Sequence, residues 1–197
     1  RITTATDYDT AGFPLYLKGD GIDDFMSTAA IDFTGTDKLA LWAGVTKTAG
    51  VNSMIYTFGE EGAAGFFKLG NLNGGPYSVY SGVRATAGSQ YGASGPNDLI
   101  LNTNYTLTQQ LDIAGVGLDG VFKIQVNGEY LPLIQQDVGP VGTGTFGNFP
   151  LSIGLWAGIG NLWAGNLYSS VCLGRAATAD ELTKTQAWVA EKTGVTL

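Results

Sequence analysis

The sequence predicts an all-β protein: two antiparallel sheets packed face to face as a sandwich, with one short C-terminal α-helix. Three observations predict it. Apolar and polar residues alternate with a period of two over many short runs, the mark of half-buried strands. Gly-, Asn- and Pro-rich turns separate those runs at close spacing, as in sandwiches and barrels. Only the last quarter changes character, where strand-like runs ending near Arg175 lead into Thr178-Ala-Asp-Glu181-Leu182, a helix start.

The strands follow in order. Residues 14–18 form a short first strand. Residues 38–47 alternate Leu39, Leu41, Ala43 and Val45 against Ala40, Trp42, Gly44 and Thr46. Residues 53–58 alternate Met54, Tyr56 and Phe58, and residues 64–69, 77–84 and 98–101 are further strands. Residues 105–113 place Tyr105, Leu107, Gln109, Leu111 and Ile113 on one face. Phe122, Ile124 and Val126 point inward, and Asn127-Gly128 follows at once. Asn-Gly between strands is a hairpin signal, because both central residues of a type I′ turn need positive φ. Residues 129–133 return, and Pro132 puts that strand at a sheet edge. Residues 151–155 and 165–173 complete the sheets, while the Gly-rich stretches 85–97 and 135–148 read as loops. The expected inter-sheet core is Leu39, Leu41, Val45, Phe122, Ile124, Val126, Ile153, Leu167 and Val171. Burying each large side chain contributes about 1.5–3 kcal/mol.

One segment reads as helix. Thr178 and Glu181 form a capping box, Leu182 and Val189 share a stripe with Trp188 beside it, and Gly194 provides the stop. This helix is expected to cover a sheet and carry no chemistry.

The 197 residues, 44% of them hydrophobic, suffice for one domain spanning 1–197, with neither an internal repeat nor a linker marked by a composition shift. Arg1 is not an initiator residue, so the chain is expected to be a processed or excised part of a longer one. No apolar run of about 18 residues is present, and no charged-then-apolar leader opens the chain. Neither a membrane nor a nucleic acid is expected as a partner, the latter because the net charge is −7 and phosphate binding needs clustered Lys and Arg. Charged residues make up only 14%, so solubility rests on uncharged polar groups. Such a surface suits packing against neighbours in an assembly, or facing sugars; it equally suits a Gly- and Thr-rich β protein with no special surface.

The chain contains no histidine, which removes Ser-His-Asp and Cys-His arrangements and the commonest metal ligand. Cys172 is the one cysteine, so no internal disulfide forms, and its place between Val171 and Leu173 makes it a packed residue. The Gly runs lack the phosphate-cradle pattern and do not lead into a helix.

Leu15-Tyr-Leu-Lys-Gly-Asp-Gly-Ile-Asp-Asp-Phe25 resembles the first strand and turn of the concanavalin A-like, laminin-G-like jelly-roll superfamily. Residues 122–130, ending Val-Asn-Gly-Glu-Tyr, resemble its late hairpin, and Trp163-Ala-Gly-Asn-Leu-Tyr168 through the Thr178 helix start resembles its closing strand and helix. The tail Trp188-Val-Ala-Glu-Lys-Thr-Gly194 is similar to lectin-like domains of bacteriophage and prophage structural proteins. The resemblance implies a jelly roll on a virion exterior, in a fibre, spike or decoration domain. It implies no particular ligand, because the fold hosts lectins, hydrolases, lyases and scaffolds.

The sequence raises three kinds of site. Glycosidases of the resembled fold carry a Glu-x-Asp-x-x-Glu strand that sets carboxylates on one concave face. This sequence has none, and adjacent Glu60 and Glu61 point to opposite faces of a strand. No catalytic residue is therefore expected. Asp20, Asp23 and Asp24 fall in a tight Gly-rich turn. They read first as caps, Asp23 and Asp24 accepting backbone hydrogen bonds, and alternatively as ligands of a structural calcium, the only cofactor the chain suggests. For carbohydrate, rings that stack on pyranose faces and amides that read hydroxyls are the expected chemistry. The candidates are Trp156 and Tyr91 in Gly-rich loops, Tyr77 and Tyr80 on a strand, and Asn71 and Asn73 before it, whereas Trp42 and Trp163 are expected in the core.

The expected function is a non-enzymatic virion-surface module, homo-oligomeric and bound to other virion structural proteins, that touches host-surface glycans. A secreted or cell-surface bacterial carbohydrate-binding domain is the alternative, and an atypical polysaccharide hydrolase or lyase the second alternative.

Overall fold

The structure, a computed structural model, describes residues 15–71, 79–88, 90–95, 99–137, 142–155, 157 and 160–197. Thirteen strands and two helices alternate along it: β1 (Leu17–Asp20), β2 (Met26–Asp32), β3 (Lys38–Lys47), β4 (Ser53–Phe58), β5 (Phe67–Asn71), β6 (Val79–Arg84), β7 (Gln90–Gly95), β8 (Asn104–Asp112), α1 (Leu118–Val121), β9 (Phe122–Val126), β10 (Glu129–Tyr130), β11 (Ile134–Asp137), β12 (Asn148–Ile153), β13 (Ala164–Leu173) and α2 (Ala179–Thr193). A six-stranded sheet runs β1-β13-β3-β8-β9-β10 and a seven-stranded sheet runs β11-β7-β6-β5-β4-β12-β2, with every pairing antiparallel. The all-β, two-sheet sandwich with one C-terminal helix is the predicted architecture. Among the described residues no helix is long and apolar enough to cross a membrane.

The strongest period-two runs became strands with the predicted bounds, β3 and β4. Leu39, Leu41, Val45, Phe122, Ile124 and Val126 are buried between the sheets, and Ile153 and Leu167 pack against that core. The Asn127-Gly128 turn has φ of 49° and 88°, as the type I′ hairpin requires. The return strand β10 does lie at the sheet edge, but it is only two residues long.

Val171 departs from the expectation. In the pairing of β13 with β3, Leu167 stands opposite Val45 but Ser169 opposite Gly44, so Tyr168 is an extra residue. This bulge inverts the alternation downstream. Val171 then shares the outer face with Trp42 and packs in the cluster under α2, while Cys172 turns inward opposite Leu41. Burial pushes the Cys172 thiol up to about 12.

Other elements differ for compositional reasons. β7 and β11 form where the sequence predicts loops, since Gln-Tyr-Gly-Ala-Ser-Gly and Ile-Gln-Gln-Asp carry no apolar alternation to mark them and are held by pairing. β2 was not anticipated either: its Met-Ser-Thr-Ala-Ala-Ile-Asp sequence is small and polar, and all of it except Ile31 is exposed at a sheet edge. Residues 99–101 turn instead of extending, with Ile100 and Leu101 exposed and Thr103 N–H donating to Ile100 O. The first turn of helix, α1, is also additional to the single helix expected.

Helix α2 lies on the outer face of the six-stranded sheet, against β3, β8 and β13. Ala40, Trp42 and Val189 form its buried contact, flanked by Val171, Leu173, Ala177 and Leu182. Trp188 faces outward and is exposed. The capping box is complete: Thr178 Oγ1 accepts from Glu181 N–H at 3.2 Å, and Glu181 Oε2 accepts from Thr178 N–H at 2.9 Å. Gly194 closes the helix in the left-handed region at φ 72°. Arg175 clamps Glu181 with its two terminal guanidinium nitrogens, Nη2 to Oε1 at 2.6 Å and Nη1 to Oε2 at 2.9 Å.

The Arg175 guanidinium, helped by the Thr178 N–H, holds the Glu181 carboxyl down at about 2, from an ordinary 4.5. A depressed carboxyl stabilises the fold fully above its unfolded value and loses that contribution as pH falls toward its folded value. Glu181 is therefore expected to support the start of α2 down to about pH 4.5 and to release it between 4.5 and 2. A carboxyl ¹³C titration should place its midpoint near 2 and show Arg175→Gln moving that midpoint upward.

Candidate functional site

The turn joining β1 to β2 carries Asp20, Asp23 and Asp24, whose carboxylates each offer an oxygen within 4.8 Å of the others. The expected capping role holds for Asp24 but not for Asp23, and Asp20 is the principal cap. Asp20 Oδ1 accepts from the N–H groups of Ile22 at 2.7 Å and Asp23 at 3.2 Å, and Asp24 Oδ2 accepts from Asp20 N–H at 3.2 Å. These backbone donors, Ile22 first and Asp23 next, draw the Asp20 carboxyl below its usual range. Asp23 contributes its N–H to the turn. The three carboxylates could supply part of the six to eight oxygens a calcium takes, with carbonyls or water completing the shell.

The outer face of the seven-stranded sheet brings together residues of a different kind. Lys68 of β5 is 2% exposed and meets both oxygens of Glu61 at 2.7 Å. Its ammonium also lies 4.7 Å from the Tyr80 ring centroid and 5.7 Å from that of Phe66. Glycines make this possible. A Cβ on Gly82, opposite Lys68, would come within 2.7 Å of Lys68 Cε, and one on Gly92, opposite Gly82, within 2.8 Å of the Tyr80 hydroxyl. The lysine stem and the tyrosine ring thus lie flat on bare backbone. Thr57 and Ser152, cross-strand partners on the same face, are buried as well. Glu60, next to Glu61 in the chain, stands exposed beyond the end of β4.

Placement of the sugar-reading candidates is mixed. Tyr80 is 4% exposed and its ring is occupied by Lys68, so it offers no open stacking face. Asn71 is buried at the end of β5, and its Oδ1 accepts from Lys47 Nζ, tying the two sheets together. Trp156, Tyr77 and Asn73 lie outside the described residues. Tyr91 has its backbone in β7 opposite Val83, and its side chain lies outside them. Trp42 and Trp163 are buried, as expected.

Sequence reasoning missed two further residues, Tyr16 and Tyr168, which meet edge to face at 5.4 Å beside β1. The signal was the polar alternation of Asn166 and Tyr168 with Leu167, overlooked because Tyr168 stands at a bulge.

The laminin α1 chain of mouse, domains LG4-5, superposes with a TM-score of 0.58 at 11% identity, over 85% of this chain and 45% of that one. The fold is an antiparallel two-sheet jelly roll. The sialidase CBM40 of Ruminococcus gnavus bound to α2,3-sialyllactose gives 0.54 at 14% identity, over 82% of this chain and 97% of that one. The native heptameric SAP-like pentraxin of Limulus polyphemus gives 0.52 at 15%, over 90% and 77%. No protein-family model matches the jelly roll described here, and no curated protein does.

The Lys68–Glu61 pair generates a stability prediction. Glu61→Gln leaves the buried ammonium without its carboxylate and should destabilise the protein by about 3 kcal/mol in urea unfolding. Combining it with Lys68→Met, which keeps the stem over Gly82, should recover most of that loss.

Proposed function

We propose that this chain is a non-catalytic binding module that contacts glycans, carried on the exterior of a larger particle such as a bacteriophage virion. One observation carries the non-catalytic part. Among the described residues, the outer face of the seven-stranded sheet presents a single glutamate, Glu61, and Lys68 holds both its oxygens. Glycoside hydrolysis needs two carboxyl groups flanking one bond, one of them free to give a proton. The remaining described glutamates stand at a turn (Glu60), a sheet edge (Glu129) and the surface of α2 (Glu181, Glu191).

The binding part is supported by fold and neighbours together. A rigid sandwich positions its rim loops well for contact. The CBM40 neighbour is seen with sialyllactose, and a botulinum neurotoxin type C chain of related fold depends on two ganglioside molecules for entering cells. Placement on a virion rests on the similarity of the C-terminal tail to phage lectin-like domains and on the 14% charge content, which favours close packing among subunits. In that setting the module would be homo-oligomeric and would touch other virion proteins.

A second reading is a carbohydrate-binding domain of a secreted bacterial enzyme or adhesin. The observation favouring it is that the CBM40 match covers 97% of that domain's length.

A glycan array should show discrete hits, and incubation with bacterial polysaccharides under varied metals should release no new reducing ends. Release of such ends would overturn the non-catalytic assignment. Antibody labelling of purified particles, followed by electron microscopy, should decorate the virion surface; unlabelled particles would favour the secreted domain.

A further inference from the structure

The six-stranded sheet keeps part of its outer face clear of α2, at the margin where β1 pairs with β13. Register alone lines up four polar residues there. Lys18 of β1 is opposite Asn166 of β13, Asn166 opposite Thr46 of β3, and Thr46 opposite Asn104 of β8. Val45 points into the core, so Thr46 and the rest of this row face outward.

The β13 bulge then sets an aromatic ring across the row. The Tyr168 hydroxyl accepts from Thr46 Oγ1 at 3.1 Å and Asn166 Nδ2 at 3.4 Å and donates to Asn104 Oδ1 at 3.2 Å. Asn104 is itself anchored, its Nδ2 donating to Thr193 O at the end of α2 at 2.6 Å. Bulges recur where a side chain must be re-aimed, and this one leaves Tyr168 pinned and preorganised. Tyr16 stands against it, with ring planes at 67°, and is 41% exposed.

We propose that this margin is a binding subsite for a neutral pyranose, with Tyr16 and Tyr168 as the stacking surface and Asn166 and Lys18 as the hydroxyl-reading groups. The inference rests on the glycan-contacting reading above. Dimensions fit: adjacent strands lie about 4.8 Å apart, and same-face neighbours along a strand about 6.8 Å, so the four side chains frame an area close to one sugar ring. The chemistry fits as well, since amphipathic rings with a few placed polar groups are what such ligands require. A neutral sugar is favoured over an acidic one by local charge. Lys18 is the one cation of the row, and β1 runs directly into Asp20, Asp23 and Asp24. Tyr168 is held by hydrogen bonds within the sheet, whereas Tyr16 keeps two-fifths of its surface in water, open to a ligand.

The test uses the full chain labelled with ¹⁵N, titrated with methyl β-galactopyranoside and methyl α-mannopyranoside, alongside a glycan array. Shift changes should concentrate on Tyr16, Lys18, Asn166 and Tyr168. Array hits should weaken about tenfold or more in Tyr16→Ala, the scale of one lost ring contact, with the thermal midpoint unchanged. Asn166→Ala provides a second variant should Tyr16→Ala fold poorly. Hits that survive both variants but vanish in Trp156→Ala would overturn this subsite and leave the glycan reading standing. Hits confined to sialylated or uronic glycans would overturn the neutral-sugar assignment. A silent array with no shift changes would overturn both the subsite and the reading.

Discussion

Burial of both faces of β3 is the constraint on which the structure depends. Leu39, Leu41, Ala43 and Val45 fill the space between the sheets, while Ala40 and Trp42 are sealed under α2. The strand has no face left for water, so its ten residues can occupy only one register. That register sets β13 on one side and β8 on the other, and β8 in turn sets the β9 hairpin. Moving β3 by a single residue would exchange the two burials and drive Trp42 into the sheet interface.

Polar groups inside the sandwich add specificity to this apolar clamp. Gln109 of β8, on the inner face, donates to Lys68 O at 3.0 Å and also bonds Ser81, linking one sheet to the other. Tyr56 reaches from the seven-stranded sheet to Trp42 O at 2.7 Å and to Ser170 at 2.8 Å. Lys47 and Asn71 close one end. Each such group is costly when unpaired and nearly neutral when paired, so they penalise wrong alignments of the two sheets more than they stabilise the right one.

How much of this could be read from the sequence varied with the driving force behind each element. β3, β4 and β9 are held by large apolar residues on a period of two, and their alternation was visible directly. The helix was equally legible, because capping depends on local residues: Thr178, Glu181 and Gly194 act within their own turn. β7, β11 and β2 were not legible. Their small and polar side chains contribute little burial energy, and partner strands impose their conformation. Val171 failed for another reason, since nothing in Leu167-Tyr-Ser-Ser-Val171 announces a bulge that only the pairing with β3 reveals. The site candidates divided similarly. Composition identified the acidic turn, but it could not show that Asp20 would cap it. It nominated Asn71 and Tyr80 for their chemistry, with no means of seeing the buried lysines that engage them.

The same physics limits where such a fold can meet a partner. The centre of one outer sheet face is covered by α2, and the described centre of the other is filled by Lys68, Tyr80, Thr57 and Ser152. Broad-face recognition would require dismantling packing that supports the fold. The margins differ, because turns and edge strands there carry side chains that the core does not need. The β1 margin is such a place: Leu15, Tyr16, Leu17, Ile22 and Phe25 are all exposed there, beside an acidic turn braced by its own backbone. A rigid interior with chemically varied margins lets surface residues change without disturbing β3, so sequences as little as 8% identical can share this sandwich.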